Sequence, residues 1–145
     1  MKAQSIDIQM RERPDGRHEV FDPVRRRWVA LTPEEWVRQQ TIAMLHEEYG
    51  YPLPLMQVEG AITVARLTKR CDIVVYDREV KPQMIVECKR EEVELTQKVV
   101  DQACRYNLVL NVPYLLLTNG RQQICLKVDT EAKTLSKVQV PCYGE

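Results

Sequence analysis

The sequence predicts one α/β domain over residues 18–145, behind a polar segment at 1–17. The domain is a mixed β-sheet flanked by helices on both faces, with a small N-terminal hairpin. Three observations carry this reading. "LTPEEW" opens a helix with a capping signature. "CDIVVYD" and "QMIVECK" are apolar runs of strand length that lie close together in the chain. "QMIVECK" and "PYLLLT" enclose a second helical pattern, which predicts a right-handed crossover between parallel strands.

The elements follow in order. Residues 1–17 hold Pro14 and Gly16 among polar side chains and read as a mobile or edge segment. "HEVF" and "RRWVAL" predict the hairpin, with Asp22-Pro23 in its turn. Thr32, Pro33 and Glu35 form a capping box with proline at the first helical position, and Gly50 stops the helix near Tyr49. Val37, Thr41, Met44 and Leu45 share one face of that helix, and Glu48 continues the spacing with an acid. "MQVEGAITV" predicts one strand beyond Pro52 and Pro54. Residues 91–111 read as a charged loop and then a helix, with Val99, Ala103, Tyr106 and Leu110 on one face. "PYLLLT" is apolar throughout, as a strand covered on both faces would be. Asn119-Gly120 predicts a tight turn into the alternating strand "RQQICLKV", and 130–145 reads as one more short edge element.

Composition narrows the function. With 145 residues the chain can bury one sizeable core. Lys plus Arg is 21 and Asp plus Glu is 21, so only a local basic patch could serve nucleic acid. Five cysteines without a CxxC pair point away from zinc and from a disulfide scaffold, and toward reduced thiols in a cytoplasmic protein. No run approaches the roughly 18 apolar residues of a membrane span. His18 and His46 stand alone, which argues against histidine-based hydrolysis. There is no G-x-x-x-x-G-K-[ST], so this chain offers no ATP site.

The chemistry gathers at residues 71–90. A hairpin centred between Glu79 and Val80 sets Asp72 opposite Glu87, Val74 opposite Ile85 and Tyr76 opposite Gln83. Strand alternation then puts Asp72, Glu87 and Lys89 on one face at one end of the pair. Opposed carboxylates repel unless a cation lies between them, and hard oxygen ligands suit Mg²⁺ or Mn²⁺. A lysine one step away can orient water or offset phosphate charge. An ion pair of Lys89 with Asp72 or Glu87 explains the same spacing without any metal. Cys71 and Cys88 fall in the same register and read as buried cross-strand neighbours opposite the acids.

"RCDIVVYD…KPQMIVECK" resembles the PD-(D/E)xK nuclease superfamily, with Cys71 where some members have proline. "DQACRYN" matches the Q-x-x-x-Y helix motif of one of its branches through Gln102 and Tyr106. "LTPEEWVRQQ", "YGYP", "VEGAITV", "IVECK", "QACRYN" and "VPYLLLTNG" occur in the order seen in the N-terminal nuclease domain of type I restriction enzyme R subunits. That resemblance runs from about Phe21 to Asp129. It implies a restriction-endonuclease-like fold and an Mg²⁺- or Mn²⁺-dependent DNA endonuclease, with Asp72 and Glu87 as metal ligands and Lys89, Gln102 and Tyr106 completing the site. It also implies DNA as partner, with other subunits of a restriction or DNA-processing complex. The alternative is a non-catalytic module that keeps the fold to bind DNA or protein. Glu48 and Glu59 are further acids for such a site, and Lys69, Arg70 and Arg90 flank it; Arg25, Arg26 and Arg27 could meet phosphates or simply form a solvated turn.

Overall fold

In the computed structural model, residues 7–129 and 131–144 are described. The first six residues of the polar segment therefore lie outside the described residues. The segment contributes β1 (Met10–Glu12), which pairs antiparallel with β2 (His18–Asp22), and β2 pairs with β3 (Arg27–Ala30). The predicted hairpin is thus the core of a three-stranded sheet. Asp22 makes its turn as expected: one carboxylate oxygen accepts the N–H groups of Val24 and Arg25.

Helix α1 spans Pro33–Glu47. Thr32 caps it, accepting the Glu35 N–H at 3.0 Å. The reciprocal half of the capping box does not form. The Thr32 N–H goes to the Ala30 carbonyl, and the Glu35 side chain turns inward to cations. After a single 3-10 turn at Leu53–Leu55 come β4 (Met56–Val58), β5 (Ala61–Val64), β6 (Leu67–Arg70), β7 (Ile73–Tyr76) and β8 (Pro82–Cys88). The single strand expected over 56–64 is two strands in different sheets. Glu59 breaks it with φ +57, so β4 stays in the main sheet while β5 turns away and pairs with β6. Neither the break nor β6 has a hydrophobic signature in "EGA" or "LTKR".

Helix α2 (Gln97–Leu110) leads to β9 (Tyr114–Thr118), β10 (Gln123–Asp129) and β11 (Thr134–Val138). The six-stranded sheet runs β11-β10-β9-β8-β7-β4, with β8 and β9 parallel and the other neighbours antiparallel. The expected parallel pairing of β8 and β9 through α2 and the edge strand near the C-terminus are both present. Two apolar layers sandwich this sheet. Val37, Ile42 and Leu45 of α1 pack with Ile73, Val75 and Val86 on one face. Ala103 and Leu110 of α2 pack with Val74, Ile85 and Leu117 on the other. Burying such side chains contributes on the order of 1.5–3 kcal/mol each, which fixes both helices against the strand pair that carries the acids.

The register of that pair holds where it matters. Ile73 pairs with Val86, Val74 with Ile85 and Val75 with Met84, as the sequence reading requires. A bulge between Val75 and Tyr76 then sets Tyr76 opposite Pro82, not Gln83. The irregularity stays at the turn end, far from Asp72 and Glu87.

Candidate active site

Asp72 lies just before the first residue of β7. Its carbonyl accepts the Glu59 N–H at 2.9 Å, and its Oδ2 accepts the Cys88 N–H at 2.8 Å. The carboxylate thus takes the place of a ladder carbonyl and ties the start of β7 to the end of β8. On the other side of β8, the Lys89 N–H donates to the Thr118 carbonyl at 2.8 Å, which anchors the acid-x-lysine segment to β9. These fixed backbones bring Asp72, Glu87 and Lys89 to one cleft of about 380 Å³, together with Arg38, Glu59 and Lys69.

The α1 side of the cleft is a charge network. Arg38 Nη2 donates to Asp72 Oδ1 at 3.1 Å, while its Nη1 reaches Glu35 at 3.0 Å and Glu59 at 3.2 Å. Arg25, from the β2–β3 turn, reaches the same Glu35 oxygen at 2.7 Å, Asp22 at 2.7 Å and Glu59 at 3.5 Å. Burial opposes the charge on both guanidiniums, but Glu35 with Asp72 at Arg38, and Glu35 with Asp22 at Arg25, outweigh it and hold both pKa values above the ordinary arginine value. The Arg25–Arg27 run therefore divides: Arg25 is structural, and Arg26 and Arg27 are exposed. Nothing in the pattern "EEWVR" separates Arg38 from a solvated helix residue; only the i, i+3 spacing from Glu35 hints at the pair.

The α2 side differs. Glu87 Oε1 lies 3.3 Å from Lys69 Nζ, and Lys69 sits over the Tyr106 ring at 4.7 Å. Tyr106 does not line the cleft itself and meets it only through Lys69. Gln102, one turn earlier, is exposed and lines none of the described cleft. Lys89 is half-buried in the cleft and forms no ion pair among the described residues. Glu59 belongs to the site's rim. Glu48 is the exposed C-cap of α1 and is not among the residues lining the cleft. Arg70 is exposed 3.6 Å from Glu59, and Arg90 is exposed beside Glu92 at 3.7 Å. Of the two histidines, His46 bonds the Tyr51 carbonyl.

The thiols are not cross-strand neighbours. Cys88 joins the α1-side core, whereas Cys71 joins the α2-side core, because the chain leaves β7 at Asp72 to enter the β5–β6 pair. Burial, then Glu87 and Asp72 against the opposing Lys69, pushes Cys71 up to about 11; burial alone pushes Cys125 up to about 11. Between about pH 9 and about pH 11 the unfolded chain then holds fewer thiol protons than the folded one, so stability falls as pH rises. The slope is about 1.4 kcal/mol per pH unit for each such thiol. Cys125→Ala should flatten the decline of the urea midpoint across that window; an unchanged slope contradicts it.

With Glu59 at the rim, Asp72 and Glu87 are the two carboxylates inside the cleft, each with one oxygen facing a protein cation. Among the described residues no three His, Cys, Asp or Glu side chains gather to hold a metal between them. Mg²⁺ suits such a donor set, since it keeps several waters and takes one or two carboxylates. The hard-oxygen pair and the open cleft therefore fit Mg²⁺ or Mn²⁺, in competition with Arg38 and Lys69. A second hollow of about 420 Å³ lies at the far end of the β7–β8 hairpin, where Arg78 bonds the Tyr143 hydroxyl and the Asp77 carboxylate is taken up by turn N–H groups.

Fold and cleft together define an α/β domain with a charged site, where carboxylates and basic side chains meet, at the end of its sheet. The family model for the type I restriction enzyme R protein N terminus (HSDR_N) matches residues 33–140, and the chain belongs to that family. The match takes in α1, the cleft and the sheet through β11. Among solved structures, the chain resembles a fragment described as an HsdR subunit of a type I restriction enzyme from Vibrio vulnificus YJ016, with 19% identity and a TM-score of 0.51. The resemblance covers 77% of this chain and 24% of that one, and shows a common fold. No curated protein matches the sequence significantly. Among the described residues no helix is long and apolar enough to cross a membrane.

Proposed function

We propose that the chain is a PD-(D/E)xK-type, Mg²⁺- or Mn²⁺-dependent DNA endonuclease module of a restriction or DNA-processing system. The observation that carries this reading is the cleft itself: Asp72 locked to the Cys88 N–H, with Glu87 and Lys89 on either side of Cys88. Membership of the R-subunit N-terminal family supports DNA as the partner and other subunits of such a complex as neighbours.

A divalent ion held by Asp72 and Glu87 would polarise a phosphodiester and acidify bound water. The chain's own residues do the rest. The Cys88 N–H and Arg38 fix the Asp72 carboxylate. Lys89, free of any ion pair among the described residues, has its ammonium available to orient the attacking water or to offset charge as it builds on phosphate. The water oxygen attacks phosphorus as one ester P–O bond breaks; one of the water's two protons ends on the leaving sugar oxygen and the other passes to the product phosphate or to solvent. Tyr106 acts from the α2 side through Lys69.

Lys89→Ala separates these roles. Both carboxylates stay, so Mn²⁺ binding should hold within about twofold while cleavage falls by roughly 100-fold, the scale of one lost electrostatic stabiliser. Equal loss of Mn²⁺ affinity and cleavage would make Lys89 a structural residue. One observation favours the second reading, a binding module: Arg38 and Lys69 already neutralise Asp72 and Glu87 without any metal. In that case DNA binding would be indifferent to chelation.

A further inference from the structure

Lys69 is the cation nearest to Glu87, and it does not come from the acid-x-lysine strand. It stands on β6, in the separate two-stranded sheet. Three contacts place it. Its Nζ lies 3.3 Å from Glu87 Oε1, its ammonium lies 4.7 Å from the Tyr106 ring centre, and its backbone pairs with Ile62 of β5. Ile62 is buried in the α2-side core, so the strand pair that carries Lys69 is held by packing. The lysine side chain is only 25% exposed, so its charge is partly desolvated and acts on Glu87 with limited screening.

We propose that Lys69 is an internal counter-ion for Glu87, held in place by Tyr106, that competes with the divalent cation for the same carboxylate. This rests on the metal-dependent reading of the site and adds to it a built-in setting of metal affinity. An ammonium at this distance lowers the affinity of Glu87 for any second cation, because the two positive charges repel across one carboxylate. The ring of Tyr106 keeps the ammonium in that position by cation–π attraction. It gives the tyrosine of the helix motif a role that needs no direct contact with metal or DNA. Lys69 is thus a positioning residue, distinct from Lys89.

The test is Mn²⁺ titration of the full chain by electron paramagnetic resonance, without DNA. Lys69→Gln should bind Mn²⁺ roughly tenfold more tightly than the unaltered protein, and Lys69→Arg, which keeps the charge, should stay within about twofold. Tyr106→Leu should shift affinity in the same direction as Lys69→Gln by a smaller factor, because the ammonium is then less well held. Thermal melts on all three confirm that each is folded before titration. If the unaltered protein binds Mn²⁺ and Lys69→Gln binds it equally or more weakly, the counter-ion role is wrong while the metal site survives. If neither protein binds Mn²⁺ at millimolar concentration, the metal site and the counter-ion role fall together.

Discussion

Arg38→Met should destabilise the protein by about 3 kcal/mol, the cost of breaking a buried charge network from one side. Arg38 is the node where Asp72, Glu35 and Glu59 meet, and its side chain is 10% exposed. Methionine fills much of the same volume but leaves the Asp72 carboxylate with the Cys88 N–H as its remaining bond. Glu35 keeps Arg25 at 2.7 Å, so most of the loss should come from Asp72 and from the tie between α1 and the strand pair. The urea midpoint should fall by roughly 1–2 M at unchanged m-value. Adding Asp72→Asn should recover part of the loss, since a neutral amide no longer needs the guanidinium. The exposed pair Arg11–Glu19, at 2.9 Å, is the control: Arg11→Ala should cost less than about 1 kcal/mol. Equal effects at Arg11 and Arg38 would mean that the network is a surface decoration.

Glu87→Gln should have the opposite profile, with a large loss of function and little loss of stability. The Lys69–Glu87 pair is partly solvated, and the amide keeps the shape of the acid. Stability should stay within about 1 kcal/mol. Cleavage should fall by at least about 100-fold, because the amide is a far weaker ligand for a hard divalent ion. Circular dichroism melts beside a nicking assay separate the two effects. A variant that cuts DNA as fast as the unaltered protein would remove Glu87 from the machinery.

The sheet was readable because its signals are local and redundant. The two apolar runs around Val74 and Ile85 alternate with a register that any hairpin centred near Glu79 must satisfy. The apolar stretch of β9 could only be a covered strand, and Thr32 with Pro33 marks a helix start on chemical grounds. The site was readable in part for the same reason, since register carries Asp72, Glu87 and Lys89 to one end. What stayed hidden depends on long-range packing. Arg38 looks like any charged helix residue until Glu35, Glu59 and Asp72 are folded around it. Lys69 sits in a strand whose alternation is too polar to register, and its partner Glu87 is 18 positions away. Glu59 bends the chain at φ +57, where a glycine would be expected and the neighbouring Gly60 misdirects the reading. Alternation sets Cys71 beside Cys88 only if it is carried two residues beyond the true start of β7.

Supercoiled plasmid incubated with the purified chain in Mg²⁺, Mn²⁺, Ca²⁺ or EDTA tests the metal-dependent nuclease reading most directly. Nicked and linear products should appear with Mg²⁺ and Mn²⁺ and be absent with EDTA. Ca²⁺ should support binding without cutting, because its looser coordination holds the attacking water less firmly. A protein that binds the plasmid equally in EDTA and in Mg²⁺, and yields no nicked or linear product with any metal, would contradict the nuclease and leave the fold as a binding module.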